Sequence, residues 1–295
     1  MENSTKGIED GNMRKITFEV EFLQDVERAT SIANVLYYQF KNKTGFFEGY
    51  EMPEYVPPSG LNKSSREYAL YLTYVIAIDF QTDAVKLWSR ARRLYEEEPR
   101  LFEPEVIVNL DRDYLRSIIR SLGARYPSGG ADGWRKISRV LLDKYDGDPR
   151  NITREPLTLE ELRRRLQDLP YLRGKKLSNF YIRAMGENGL FKIIDFDKLS
   201  VAVDIQIARV TFYTGVLKIL GSYYGCIHHE PVRPMIEDVW NQAAQRIGVP
   251  AWYLDEPLWT VGSKLCSKKK CEKCPINNFC QKNFHVKFKG SNIMC

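Results

Sequence analysis

The sequence predicts an all-α protein, on three observations. Apolar residues recur at helical spacing through most of the chain, period-two alternation is scarce, and each periodic stretch stops at a Gly or Pro. Residues 1–12 are polar and are expected to fray. The stretch from Ile16 into SIANVLYYQF can carry one or two helices, and PEYVPPSG at 53–60 reads as a loop with a boundary near 60. Five short helices follow, in REYALYLTYVIAIDF, QTDAVKLWSRARRLYEEEP, DRDYLRSIIRSLGARY, GWRKISRVLLDKYDGDP and TLEELRRRLQDLP. Their aromatic residues, Tyr71, Tyr74, Trp88 and Trp134 among them, read mostly as core packing.

The sixth element opens in LPYLRGKKLSNFYIRAM. A helix stops at Leu169-Pro170, a tight turn ends at Gly174, and a new helix starts with Lys175 and Lys176. This is a helix-hairpin-helix pattern, which offers backbone N–H groups and a helix N-terminus to one phosphate without reading base sequence. By spacing alone it also reads as a plain turn. Downstream, in LSVAVDIQIARVTFYTGVL, Asp204 follows a short apolar run and Arg209 comes five residues later. Asp204 has the position of a helix N-cap, and equally of a carboxylate held beside a pocket by its own helix. Both readings can hold for one residue.

Cys266, Cys271, Cys274 and Cys280 fall within LCSKKKCEKCPINNFC, with gaps of four, two and five residues. Structural zinc usually takes two separated knuckles, whereas a chain that wraps once around a single object suits an iron–sulfur cluster; a [4Fe–4S] centre is the favoured reading and zinc the other. A secreted disulfide framework is excluded by composition, since 6 cysteines are spread over 295 residues behind a polar, charged N-terminus. The expected compartment is reducing and cytoplasmic. No apolar run approaches the roughly 18 residues that span a bilayer. Mean hydropathy of −0.40 with 43% hydrophobic residues suits a soluble chain of one or two domains.

Net charge is +6, and the segment from Cys266 onward, with seven Lys and one Glu, carries all of it. Lys268, Lys269 and Lys270 lie between the first two cysteines, where they can project toward a phosphate backbone or offset the thiolates. His228 and His229 read as turn or surface residues, and Cys226 and Cys295 as spare thiols.

Taken in order, these segments resemble the helix-hairpin-helix DNA glycosylase superfamily, in its cluster-bearing branch typified by endonuclease III. The similarity is collinear over about residues 65–282. IAIDFQTDAVKLWSRARRLY resembles the early helix pair with its Gln-containing turn. IIRSLGARY with WRKISRVLLDKYDG resembles the next pair, and the hairpin, Asp204 with Arg209, and GSKLC before the cysteine loop follow. The resemblance implies a two-domain all-α fold: a six-helix barrel over 62–195, and a second domain from 1–61 and 196–295 that carries the cluster loop at 266–280. It departs from the family in the hairpin, where Tyr171, Leu172 and Arg173 replace a Gly-rich turn, in an insertion near 186–198, and in a shorter first cysteine gap.

The resemblance also implies the chemistry. The partner is double-stranded DNA with a damaged base or abasic site, bound by a monomer, with the base flipped into a pocket before excision. Lys176 is the implied nucleophile, with Lys175 as the alternative, and either would gain from its neighbour's ammonium a lower affinity for protons. Asp204 is the implied anion beside the sugar. Leu172, Arg173, Gly174, Lys175, Arg209 and Lys268–Lys270 are implied DNA contacts, Gln81 fills the emptied stack, and Arg125 and Tyr126 border the lesion pocket. Lysine attack would give a Schiff base and β-elimination. A monofunctional enzyme with Asp204-activated water, a non-catalytic DNA-binding member, and a zinc-loop RNA binder stay open. The lesion is not readable from the sequence.

Overall fold

The computed structural model describes residues 21–220 and 230–284. Ile16, Cys226, His228, His229 and Cys295 lie outside the described residues. The remainder is built from α-helices joined by short 3-10 turns. Helix α1 (Val26–Lys41) is capped by the Asp25 side chain, which accepts from Arg28 N at 2.9 Å. Helix α2 (Arg66–Ile78) is capped by Ser65 and buried on every side from Tyr68 to Ile78. It is the central rod around which the amphipathic helices pack.

Those helices are α3 (Ala84–Glu97), α4 (Pro104–Ile107), α5 (Arg112–Leu122), α6 (Pro127–Tyr145), α7 (Leu159–Leu166) and α8 (Lys175–Glu187). The reciprocal Thr158–Glu161 capping box starts α7, and Gly123 at φ +89 ends α5 in the left-handed conformation. The second group is α9 (Ile205–Thr214), α10 (Val232–Arg246) and α11 (Asp255–Lys264).

Two departures from the sequence reading have clear physical reasons. Strand β1 (Glu21–Gln24) pairs antiparallel with β2 (Leu217–Leu220), a ribbon of four residues a side, too short to show alternation. Helix α6 begins at Pro127, well before the Gly-Trp where a helix is expected, and includes Gly129, Gly130 and Gly133. Local propensity opposes this, but packing requires it. A Cβ on Gly130 would meet Ile119 at 2.7 Å, and one on Gly129 or Gly133 would meet the Tyr171 side chain at 2.5 Å.

Two hydrophobic cores result. One gathers α2 to α8 around Trp88, Trp134, Tyr71 and Tyr74; the other gathers α1 and α9 to α11 around Trp240, Phe212 and Leu254. Leu199 belongs to the first and Val201 to the second. The 186–198 segment packs on the first core. Phe196 stacks on Trp252 with centroids 4.7 Å apart, and Asp195 Oδ1 accepts from Leu159 N at 2.7 Å. Among the described residues no helix is long and apolar enough to cross a membrane.

Candidate active site

A cavity of about 490 Å³ is walled by residues drawn from both cores, Asp79, Arg125 and Lys176 on one side and Asp204, Arg209 and Trp259 on the other. Its centre is a lysine facing a carboxylate. Asp204 caps α9: Oδ1 accepts from Gln206 N at 2.7 Å and Ile207 N at 3.1 Å. Oδ2 is left over and lies 3.9 Å from Lys176 Nζ. The cap and the pocket carboxylate are thus the same group. Where Asp204 sits is fixed by the crossing of α9 and α11, which is so close that a Cβ on Gly262 would stand 2.4 Å from Gln206 O.

Lys175 and Lys176 occupy the first turn of α8 and point apart. Lys175 Nζ pairs with Glu230 Oε1 at 2.5 Å on the exposed surface, and Lys175 does not line the cavity. Lys176 does. The expectation that Lys175 supplies a neighbouring ammonium to Lys176 is therefore replaced: what faces Lys176 is acid, Asp204 and the electrostatically coupled Asp79.

The hairpin is a turn between α7 and α8 whose special residue is Tyr171 at φ +67. A tyrosine in the left-handed region costs of order 1 kcal/mol, and the contact of its ring with the glycine face of α6 offsets that. Arg173, Gly174 and Lys175 are exposed, and the N-terminus of α8 opens beside them. Leu172 is different. It is fully buried in the first core, so its side chain cannot be a DNA contact, and only its backbone remains near the turn.

Gln81 stands at φ +52 in the turn between α2 and α3 and lines the cavity. Tyr126 Oη donates to its Oε1 at 3.3 Å, and the Tyr126 ring stacks on Phe80 with centroids 6.3 Å apart. Arg125 is in the cavity wall, whereas Tyr126 is 53% exposed and stands at the rim. Arg209, expected on DNA, lines the cavity and also lowers the proton affinity of Cys266, so it lies between pocket and cysteine loop.

Two groups were not singled out in the sequence. Asp79, at the C-terminal end of α2, is buried in the cavity wall, with Oδ2 accepting from Trp88 Nε1 at 2.9 Å. The second is a charge cluster around Arg183, which is 3% exposed. Its guanidinium reaches Glu54 Oε1 at 3.0 Å, Asp255 Oδ2 at 3.3 Å and, on Nη1, Glu256 Oε1. Burial pushes the Glu54 carboxyl up to about 7, against the pull of Arg183. PEYVPPSG is thus more than a separating loop, because it sends a buried acid into the cavity wall. The available signal was an Arg inside the apolar run Tyr181–Met185 and the Asp-Glu pair opening α11.

The four cysteines are free thiols, each partly buried, on consecutive 3-10 turns that leave α11. Cys266 and Cys274 pack against the second core. Burial raises the proton affinity of Cys266, and the charges of Cys274, Cys280 and Cys271 raise it further, so the four sense one another. Lys282 N donates to Cys280 Sγ at 3.4 Å. A single tetrahedral ion needs its sulfurs at about 2.3 Å from one point. Among the described residues no three His, Cys, Asp or Glu side chains converge in that way. Four partly buried thiols within electrostatic reach of one another are a donor set of the kind that holds either an iron–sulfur centre or a zinc ion. Lys268, Lys269 and Lys270 are exposed on this loop, with Lys269 Nζ 5.2 Å from the Phe284 ring centroid.

No family model and no curated protein matches the sequence. Solved structures do share its fold. A thermostable thymine-DNA glycosylase superposes with a TM-score of 0.54 at 16% identity, over 88% of this chain and 98% of that one. A trapped endonuclease III–DNA covalent intermediate, an estranged-adenine complex, gives 0.55 at 18%, over 87% and 97%. A non-covalent endonuclease III–DNA complex gives 0.56 at 17%, over 89% and 98%. The all-α fold is the one these proteins share.

Proposed function

We propose that this protein is a base-excision DNA glycosylase that also cleaves the abasic site, with Lys176 as nucleophile and Asp204 as the anion beside the sugar. The observation that carries this reading is the approach of Lys176 Nζ to Asp204 Oδ2, 3.9 Å apart in a cavity of about 490 Å³. The fold supports it, since the structures that share it are of a DNA glycosylase and of DNA complexes.

The chemistry follows from what each group can do. A stacked base hides its glycosidic bond, so the nucleotide must be turned out of the duplex, and a cavity of this volume is within the range of small-ligand sites. The exposed start of α8, with Arg173 and Lys175, would hold a phosphate through N–H groups and charge. Lys268–Lys270 would add sequence-independent grip. Gln81, preset in a left-handed turn at the rim with Phe80 and Tyr126 beside it, would enter the space the base leaves.

Bond breaking develops positive charge on the sugar, which Asp204 Oδ2 would stabilise because its position is already fixed by the cap. Lys176 must shed a proton to attack, and Asp204 is the acceptor in reach. Attack gives an imine and then β-elimination. Cys266, Cys271, Cys274 and Cys280 would hold a [4Fe–4S] cluster, which supplies a cross-link that shapes the lysine loop. It takes no part in these steps.

A panel of duplexes, each with one oxidised, alkylated, deaminated or mismatched base, assayed with and without alkali, tests this reading. Base release with strand cutting in the absence of alkali is expected for at least one duplex. Cutting that always needs alkali would leave only the glycosylase half, and no release from any duplex would remove the reading.

A further inference from the structure

The nucleophile and the anion leave one part of the reaction unassigned. A neutral base departs as an anion unless something protonates it, and neither Lys176 nor Asp204 is suited to do so while each serves the sugar. A third ionisable group shares their space. Asp79 lies in the cavity wall on the α2 side, 9% exposed, and its electrostatic neighbours there are Lys176 and Asp204.

Its orientation is fixed. Asp79 N donates to Ile76 O at 3.1 Å, closing α2, and Oδ2 accepts from the indole of the fully buried Trp88 at 2.9 Å. Among the described residues no hydrogen-bond partner holds Oδ1, although Asp79 borders the cavity. A carboxyl locked at one oxygen and open at the other is arranged to present that other oxygen to whatever fills the space. Phe80 and Phe180, which also line the cavity, give a planar ring apolar surface beside it.

We infer that Asp79 is the general acid of this pocket and delivers the proton that the departing base requires. This rests on the glycosylase reading above. The step balances as follows. The glycosidic C1′–N bond breaks, its electron pair passes to the base nitrogen, and that nitrogen takes the Asp79 proton. Lys176 Nζ passes its ammonium proton to Asp204 Oδ2, bonds to C1′ as the amine and becomes a secondary ammonium. The base leaves neutral, Asp79 ends as carboxylate and Asp204 as acid, with net charge unchanged.

The surroundings suit a proton donor. Burial and, less strongly, the Asp204 charge raise the proton affinity of Asp79, while Lys176 and the Trp88 N–H oppose them, and the balance lies on the raised side. Glu54, the remaining acid coupled to Asp79, is itself buried and pushed up to about 7. Asp79 and Asp204 are thus held in different ways: one carboxyl is pinned by the Trp88 indole at the end of α2, the other caps α9.

The test separates two reactions of one enzyme. Excision from the lesion duplex that the protein cuts fastest needs a leaving base. Borohydride trapping on a preformed abasic duplex of the same sequence does not. Asp79→Asn keeps an acceptor for Trp88, and Asp79→Ser is the second variant should the first fold poorly. Base release is expected to fall about 100-fold or more while trapping stays within about threefold. Unchanged base release overturns the inference, and so does equal loss of both reactions, which would make Asp79 a support for the pocket. If the unmodified protein releases no base at all, it is the glycosylase reading that fails.

Discussion

Asp204 divides its carboxylate between two tasks: Oδ1 closes the first turn of α9, and Oδ2 faces Lys176 Nζ at 3.9 Å. The two tasks can be separated by substitution. Asn caps a helix about as well as Asp, so Asp204→Asn should leave the melting temperature nearly unchanged. Base release should fall at least about 100-fold, because the charge beside the sugar is lost. Asp204→Ala should lose the activity and also about 1 kcal/mol of stability, read from chemical denaturation.

Arg183 joins three segments through Glu54, Asp255 and Glu256, all of them buried. Removing the cation leaves several carboxylates in a dry site. Arg183→Met should cost about 3–5 kcal/mol by urea unfolding. The comparison is Arg112→Met, which breaks a bidentate but exposed pair with Asp132 and should cost about 1 kcal/mol or less. Equal costs would mean that the cluster is not the tie it looks to be.

The same cluster gives a pH dependence with a definite sign. Glu54 holds its proton more tightly folded, up to about 7, than unfolded, near the ordinary 4.5. Between those values the folded state binds more protons, so this group's stabilising contribution is full below about pH 4.5 and is lost as pH rises through 7. Melting scans should show stability from this group falling across that window. Glu54→Gln should flatten the decline, and an unchanged slope would count against it.

The hairpin depends on the glycine face of α6. A methyl at Gly133 would stand 2.5 Å from the Tyr171 ring. Gly133→Ala should therefore destabilise by about 1–3 kcal/mol and weaken binding to an abasic duplex as the turn shifts. Tyr171→Ala added to it should cost less than the two singles combined, since the clash is then absent. Full additivity in a double-mutant cycle would show that the contact is not shared.

The cysteine loop makes a spectroscopic prediction. Purified anaerobically, the protein should be brown, with iron and acid-labile sulfide in equal amounts near four per chain, and Cys274→Ser should lose both. Zinc in place of iron would favour the single-ion reading.

What the sequence revealed, and what it hid, follow from the range of the interactions. The cap at Asp204 and the helix opening at Lys175 are local patterns, written within a few residues of themselves. That Lys176 rather than Lys175 faces the cavity is set by α8 turning about 100° per residue against a partner, Asp204, that is 28 residues away. Asp79 and Glu54 were hidden for the same reason, since nothing near either residue in sequence announces Lys176 or Arg183. Leu172 is expected on DNA from its place in the hairpin, whereas its apolar side chain has a core to enter. The glycines of α6 oppose a helix by local propensity, and they form one because the Tyr171 ring and Ile119 need the room.

The central claim is that Lys176 is the group that forms the bond to the sugar. Borohydride reduction during incubation with an abasic-site duplex tests it most directly, using the unmodified protein, Lys175→Ala and Lys176→Ala, with denaturing gels to read the covalent adduct. The adduct is expected with the unmodified protein and with Lys175→Ala, and is expected to be absent with Lys176→Ala. An adduct that persists in Lys176→Ala, or that never forms with the unmodified protein, would contradict the account.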